Sequence, residues 1–250
     1  MDTKNIKDEQ IRKQIITASE VYRDKLAGRV FLYVYGESYF EVVFPTDRFR
    51  HLTGVNSSIS AQEFYDKAKS SMLSAGQIFY DREHTYRGAK RKLPCLTMLP
   101  ALTNNVVCVV KDMKTVTLTY KIGVTNLDFT IGLSENLDLE GNKINDWFLP
   151  RTLRVKDKAI ESSADAEFID FIFSKDASVD KYSTMTYADK DKKPPLVIKD
   201  FLSDDLVKYL YSTSFLGVFL HRPLLHDSTA PRRNLEWGIQ QITPFFTVEL

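Results

Sequence analysis

Basic side chains and a histidine crowd the segment PTDRFRHLTG, residues 45–54, in which Arg48 and Arg50 flank His51. Arginine presents a planar fork of donors that binds phosphate oxygens in pairs. Histidine is the side chain best suited to move a proton near neutral pH. The segment therefore predicts a phosphate-binding site with a proton-transfer group. The alternative is a solvated basic turn in which the histidine only packs or caps.

A second basic stretch, DREHTYRGAKRK, spans residues 81–92, where five cations outnumber two carboxylates for a local charge of +3. Such a stretch can follow a phosphate backbone while an interleaved tyrosine stacks on a base. The alternative is an exposed helix face with local ion pairs. The residues predicted to bind RNA here are Arg82, Tyr86, Arg87, Lys90, Arg91 and Lys92.

Two later segments also carry basic and hydroxyl groups at strand ends. In WFLPRTLRVKD, residues 147–157, Arg151, Thr152 and Arg154 follow a proline at the entry to a strand. The FIDFIF strand continues into SKDASVDKY, which contains Lys175 and Tyr182. Either segment alone is a weak signal, so their value depends on whether the fold brings them to the first two.

No motif for a metal or a cofactor occurs in the sequence. It contains no phosphate-binding GxxxxGK[ST] loop, no GxGxxG after a strand, no HExxH and no GxSxG. The four histidines, His51, His84, His221 and His226, lack the spacing of zinc ligands. We therefore expect neither a metal nor a cofactor.

Composition limits the partners and the cellular compartment that the sequence predicts. The net charge of +1 requires a nucleic-acid binder of this composition to gather its positive charge on one face. Cys95 and Cys108 lie among apolar residues, which predicts buried free thiols in a reducing compartment. The polar N-terminus is unlike a signal peptide, and the longest apolar stretch is too short to span a bilayer. These features predict a cytoplasmic protein without a membrane partner.

Hydrophobic periodicity predicts an α+β fold, with N-terminal helices followed by an antiparallel β-sheet. The expected order is a helix over 6–26, a hairpin of strands 29–35 and 38–44, and short helices near 46–54 and from Ser60. Residues 77–103 should be helical in pieces, broken at Pro94 and Pro100. Later strands are expected at 106–110, 115–120, 128–133, 152–155 and 168–173, with one turn at Lys111-Asp112.

The charged, proline-terminated stretch ADKDKKPP, residues 188–195, predicts an internal boundary. It separates an α+β domain, residues 1–188, from a small C-terminal appendage, residues 189–250. A helix over 203–216 and a terminal strand in TPFFTVEL are expected within the appendage. Its apolar residues predict that it packs on the core, where it offers a surface for a protein partner.

Taken together, the elements FEVVF, DRFRHLTGV, AQEFYDKA and FLPRTL, in this order, resemble the phage-associated branch of the Barnase–EndoU–colicin–RelE-like nuclease superfamily. The HLTG and LPRT elements carry most of the resemblance. It spans roughly residues 38–185, so the N-terminal helix lies outside it.

The resemblance implies RNA chemistry on the concave face of the sheet and metal-independent cleavage, in which the ribose 2′-hydroxyl attacks the adjacent phosphate. It implies His51 as acid or base, Arg151 and Lys175 as phosphate stabilisers, Thr152 as a hydroxyl bonded to the phosphate, and Tyr182 as a further hydroxyl. The family usually has serine where this chain has Thr152. No catalytic glutamate is evident to pair with His51.

Three functions remain open. The first is a ribonuclease of a phage or mobile element that acts as a toxin or in host conflict. The second is a non-catalytic interaction module on the same fold, which binds a host or phage protein. The third is an enzyme acting on nucleotides or small phosphorylated ligands. Convergence of His51, Arg151, Thr152 and Lys175 in one cleft would favour catalysis, whereas scattering would favour the interaction module. The RNA target and the oligomeric state stay open.

Overall fold

The computed structural model describes residues 3–115, 119–157, 160, 163 and 166–212. Within these residues, helices α1 to α5 are Thr3–Lys25, Phe49–Thr53, Ala61–Lys69, Tyr86–Thr97 and Asp204–Tyr211. Strands β1 to β11 are Arg29–Tyr35, Ser38–Val43, Asn56–Ser57, Ile78–Phe79, Cys108–Lys114, Thr119–Thr125, Phe129–Leu137, Lys143–Val155, Ala166–Phe168, Phe171–Asp176 and Thr184–Ala188. Short 3-10 helices lie at Thr46–Arg48, Ala75–Gln77, Leu99–Thr103 and Leu196–Phe201.

One large sheet organises the described part of the chain, with the strand order β11-β10-β1-β2-β8-β7-β6-β5-β9. Neighbouring strands are antiparallel except β2 and β8, which are parallel. The short strands β3 and β4 form a separate antiparallel pair. The predicted α+β class and the mostly antiparallel sheet are confirmed.

Helices α1 to α4 cover one face of the sheet, called here the helix face. The predicted apolar stripe of α1 is buried, with Ile15, Ala18 and Leu26 fully inaccessible to solvent. It packs with Tyr33 and Val42 of the β1–β2 hairpin in one core cluster. Burial of a side chain of this size stabilises the fold by about 1.5–3 kcal/mol, so the helix face is a rigid support.

The opposite face of the sheet is covered by the chain that follows β10. Leu32 of β1 and Phe173 of β10 pack there against Ile198, Leu202 and Leu210. This layer includes α5 and the 3-10 helix Leu196–Phe201, which are the described part of the predicted appendage. The predicted terminal strand TPFFTVEL lies outside the described residues.

A bulge interrupts the pairing of β7 with β8. Gly132 pairs with Thr152 and Leu133 pairs with Pro150, so Arg151 is left without a partner residue. Pro150 has no N–H to donate to a ladder, and prolines within sheets are tolerated at such irregularities. Because a bulge locally bends the strand, it changes the direction of the extra residue's side chain.

Three expectations for individual elements are wrong. Pro94 lies inside α4 and does not end it. β5 continues through the predicted turn at Lys111-Asp112, because it stays paired with β6 as far as Lys114, which lies opposite Thr119. β8 begins at Lys143, well before its predicted start. No helix among the described residues has the length and apolar character needed to cross a membrane.

Candidate active site

The short helix α2 holds His51 at the edge of the helix face. Phe49 and Leu52 are fully buried beneath it. Gly54 ends the helix with φ +77°, a left-handed conformation that glycine adopts without strain. Because packed residues fix both sides of the turn, half-buried His51 has a defined position.

Arg151 lies beside His51. It is the extra residue of the β8 bulge and is exposed to solvent. Burial lowers the pKa of His51 to about 4, and the positive charges of Arg151, Arg50 and Arg48 act in the same direction. The imidazole is therefore neutral at pH 7. We call Arg48, His51 and Arg151 the His51 group.

A second group of cations adjoins the first where α4 meets α2 and β8. Lys92 of α4 is half-buried. Its pKa is lowered to about 8 by burial and by the positive charges of Arg154 and Arg91. We call Arg91 and Lys92 the Lys92 group, and both groups together the basic junction.

The carboxylates beside the basic junction neutralise it poorly. Asp47 lies 3.6 Å from Nε of Arg48 and Asp157 lies 3.7 Å from Arg154, distances too long for hydrogen bonds. In the described part of the chain, the buried Nε atoms of Arg48 and Arg154 have no hydrogen-bond partner. Buried donors without partners are rare in proteins, and a bound anion is one species that would satisfy the Nε of Arg48. A chain of net charge +1 must gather its cations on one surface to bind nucleic acid, and the basic junction is such a gathering of cations.

Lys175 and Tyr182 lie on the other face of the sheet and are separated from His51. Nζ of Lys175 donates to the Asp180 carbonyl oxygen at 3.0 Å and lies 4.8 Å from the centroid of the Tyr182 ring. Tyr182 is inaccessible to solvent and its hydroxyl donates to Glu41. Burial and the Glu41 carboxylate raise the pKa of Tyr182. The two residues anchor the covering layer, so Lys175 does not converge with His51 in one cleft.

Thr152 is also turned away from His51. It is buried at 7% exposure and pairs with Gly132. A Cβ placed on Gly132 would lie 2.8 Å from the Thr152 methyl carbon, so the threonine side chain occupies the space above that glycine. Gly132 alternates with Ile131 and Leu133, which face the helices. Thr152 therefore points to the face opposite the helices.

Only part of the basic stretch 81–92 reaches the junction. Arg82, Arg87 and Lys90 are exposed, and the Tyr86 ring packs edge-on against Tyr80 at 5.6 Å. Arg91 and Lys92 belong to the Lys92 group. Arg50, from the first basic segment, donates to the Ile59 carbonyl oxygen at 3.0 Å and so also holds a loop.

Sequence reasoning assigned no role to Arg154 or to Glu41, although the structure gives both a defined environment. Glu41 alternates with inward-facing Phe40 and Val42 in β2, and this alternation was the available signal that it faces the other side. Arg154 alternates in the same way with Leu153 and Val155, which belong to the helix-face core, along a regularly paired part of β8.

The chain also matches a known protein family. Residues 14–191 match the model of the family described as phage-Barnase-EndoU-ColicinE5/D-RelE like nuclease4. The matched region includes α2, α4, β8 and therefore the whole basic junction. The chain belongs to this family. The expected resemblance is confirmed, but it was drawn too narrowly, because the match also includes most of α1.

The phage-Barnase-EndoU-ColicinE5/D-RelE like nuclease4 family gives the chain a nuclease role in a phage context and implies binding of nucleic acid. No curated protein and no solved structure shows a significant match to the chain. Among the described residues, no cluster of three histidine, cysteine or acidic side chains is arranged to hold a metal ion.

Proposed function

We propose that this protein is a metal-independent ribonuclease of a phage or mobile element that cleaves RNA by attack of a ribose 2′-hydroxyl on the adjacent phosphate. One observation carries the proposal: a neutral histidine, His51, lies beside Arg151 and Arg48, and the buried Nε of Arg48 has no hydrogen-bond partner among the described residues. A proton acceptor next to arginine forks is the pair of functions that such a reaction requires.

In the proposed step, His51 removes the proton from the 2′-hydroxyl. The 2′-oxygen bonds to phosphorus while the bond from phosphorus to the 5′-oxygen breaks, and water supplies the proton that the leaving 5′-oxygen takes up. The products are a 2′,3′-cyclic phosphate and a 5′-hydroxyl. Arg151 and Arg48 neutralise the negative charge that accumulates on the phosphate oxygens.

The low pKa of His51 is compatible with its role as a base. The neighbouring arginines disfavour the protonated imidazole in the free protein. A bound phosphate offsets these charges, and the additional negative charge of the transition state offsets them further. The imidazole therefore becomes more basic as the reaction proceeds, so that protonation is favoured only when charge develops.

Within this proposal, Lys175, Tyr182 and Thr152 support the sheet and do not contact RNA. Arg82, Arg87 and Lys90 remain candidates for outer phosphate contacts, because they are exposed on the side of α4 and its preceding loop. We further propose that the enzyme acts in the cytoplasm of the host as a toxin or in host conflict.

Incubation of the purified protein with total RNA in EDTA tests the proposal. The wild type should cleave, and His51→Ala should be slower by roughly 10²–10⁴-fold, the range for a general acid–base group. His84→Ala is the matched control, since exposed His84 pairs with Asp81 at 3.1 Å, outside the junction. Activity that is lost in EDTA and restored by a divalent ion, or an active His51→Ala, would contradict the proposal.

A second function, a non-catalytic interaction module, is favoured by the separation of Lys175 and Tyr182 from His51. In that case the basic junction binds an acidic surface of a host or phage protein. The same assay distinguishes the two functions, because such a module leaves RNA intact at every protein concentration.

A further inference from the structure

We propose that the groove between α1 and α4 is a docking site for an α-helix of a protein partner, one that carries aliphatic side chains along one face and carboxylates beside them. The groove lies apart from the basic junction. Pro94 lines the groove, whereas Lys92 belongs to the junction, and residues two apart on a helix point about 200° apart. The inference therefore does not depend on the proposed ribonuclease activity.

Helices α1 and α4 lie side by side and run in the same direction. Near their first turns, Nζ of Lys7 lies 5.7 Å from the centroid of the Tyr86 ring. Further along both helices, a groove with a volume of about 250 Å³ is lined by Lys13, Gln14, Thr17, Leu93, Pro94 and Thr97. A furrow between two packed helices is complementary to the ridge of a third helix, which is how an amphipathic helix binds in a groove.

The shape and lining of the groove fit aliphatic side chains. Leu93 lies at its base with 1% exposure, and exposed Pro94 adds a rigid apolar ring. The volume is below the roughly 300–1,000 Å³ of small-molecule sites, so the groove accepts one or two leucine-sized side chains and not a nucleotide. None of the described residues that line it is aromatic, so a nucleobase has no ring on which to stack.

An exposed apolar side chain extends this surface towards the start of α1. Ile6 is 45% exposed and lies two helical turns before Lys13, on the same side of the helix. From Ile6 to Thr17 the surface is about 16 Å long, which corresponds to three turns of a bound helix. Apolar anchors at i, i+4 and i+7 of a partner helix match this length.

The rim of the groove is basic. Lys13 lines the groove from α1, and Lys90 lies one helical turn before Pro94 in α4; both are exposed. Within the described part of the chain neither forms an ion pair, and the nearby carboxylate of Glu9 is paired with Arg12 at 2.7 Å. Carboxylates beside the apolar anchors of a partner helix would complement these cations.

A panel of cross-linked helical peptides, each about five turns long, tests the docking site by NMR. Every peptide carries leucines at i, i+4 and i+7. The residues beside the leucines are glutamates in one half of the panel and lysines in the other. Glutamate peptides should bind and shift the backbone amides of residues 13–17 and 93–97. Equal binding of the lysine peptides, or no binding by any glutamate peptide at millimolar concentration, would overturn the docking site.

Two variants test the base and the rim of the groove separately. Thr17→Phe changes an exposed residue and fills the groove, so it should weaken the glutamate peptides roughly ten-fold or more. Lys13→Glu combined with Lys90→Glu should reverse the preference, so that lysine peptides bind more tightly. Exposed Lys193, beyond β11, provides the control Lys193→Glu, which should change neither affinity. Melting curves confirm folding, and unchanged binding in both groove variants would show that the peptides bind elsewhere.

Other occupants of the groove are outcomes of the same measurements. Larger shifts of these amides with a fully 2′-O-methylated RNA would assign the groove to nucleic acid. Stronger binding of anionic phospholipid vesicles than of the glutamate peptides would assign it to a lipid surface. A dimer that Thr17→Phe dissociates would assign it to a second copy of the chain. Each result would overturn the proposal, whereas a wild type that binds the glutamate peptides but cleaves no RNA supports the docking site and refutes the ribonuclease.

Discussion

Replacement of His51 by glutamine should make the stability of the protein less sensitive to acid. The folded protein holds the pKa of His51 at about 4, below its ordinary value of 6.5. The unfolded chain therefore binds a proton at a higher pH than the folded protein does. The stability that depends on neutral His51 is complete above about pH 6.5 and is lost as the pH falls towards 4.

The size of the effect follows from the same pKa. One pKa unit corresponds to about 1.4 kcal/mol, so the full difference sets an upper limit of about 3 kcal/mol. His51 is half-buried and screened in part by solvent. We therefore expect about 1–2 kcal/mol between pH 7 and pH 4.5.

Urea unfolding at these two pH values measures the difference. The wild type should lose about 1–2 kcal/mol more stability than His51→Gln over this interval. Carboxylates titrate in both proteins and cancel in the comparison. Equal acid sensitivity of wild type and His51→Gln would refute the reasoning, as would an NMR titration of His51 with a midpoint near 6.5.

Three further predictions concern the same elements. Arg151→Met should raise the pKa of His51, measured by NMR, and should lower the cleavage rate by roughly 10²–10³-fold, the usual cost of removing one charge-stabilising donor. An unchanged His51 pKa would show that Arg151 does not act on it. Tyr182→Phe leaves the Glu41 carboxylate without its donor, so it should reduce the free energy of unfolding by about 1–3 kcal/mol without changing activity per folded molecule. A loss of activity at full stability would show that Tyr182 belongs to the active site. Lys92→Met should raise the melting temperature at pH 7, because it removes an ammonium group whose pKa the fold lowers to about 8. This gain should vanish as the pH rises from 8 towards 10.5, and a lower melting temperature at pH 7 would contradict the account of Lys92.

Local patterns were sufficient to predict α1, the β1–β2 hairpin and the short helix that ends at Gly54, because each depends on neighbours close in sequence. They also placed His51 on that short helix. The face on which Lys175 and Tyr182 lie could not be read in this way. It depends on the pairing of β10 with β1, in which Lys175 lies opposite Val30, a contact between distant parts of the chain.

The pairing of His51 with Arg151 lies between these cases. The family resemblance proposed both residues for one site, and the structure places them within electrostatic reach of each other. What sequence could not provide is the bulge that leaves Arg151 unpaired in β8, since it depends on the register of β8 against β7. The Lys92 group likewise depends on the contact of α4 with Gly54, which no local pattern encodes.

The central claim is that a ribose 2′-hydroxyl is the nucleophile and that His51 takes its proton. A DNA oligonucleotide containing a single ribose, incubated with the protein in EDTA and analysed by mass spectrometry, tests this claim most directly. Cleavage should occur only at the ribose and leave a 2′,3′-cyclic phosphate and a 5′-hydroxyl, and it should be slower by roughly 10²–10⁴-fold with His51→Ala. A product with a 5′-phosphate, cleavage of the all-deoxy oligonucleotide, or no cleavage by the wild type would contradict it.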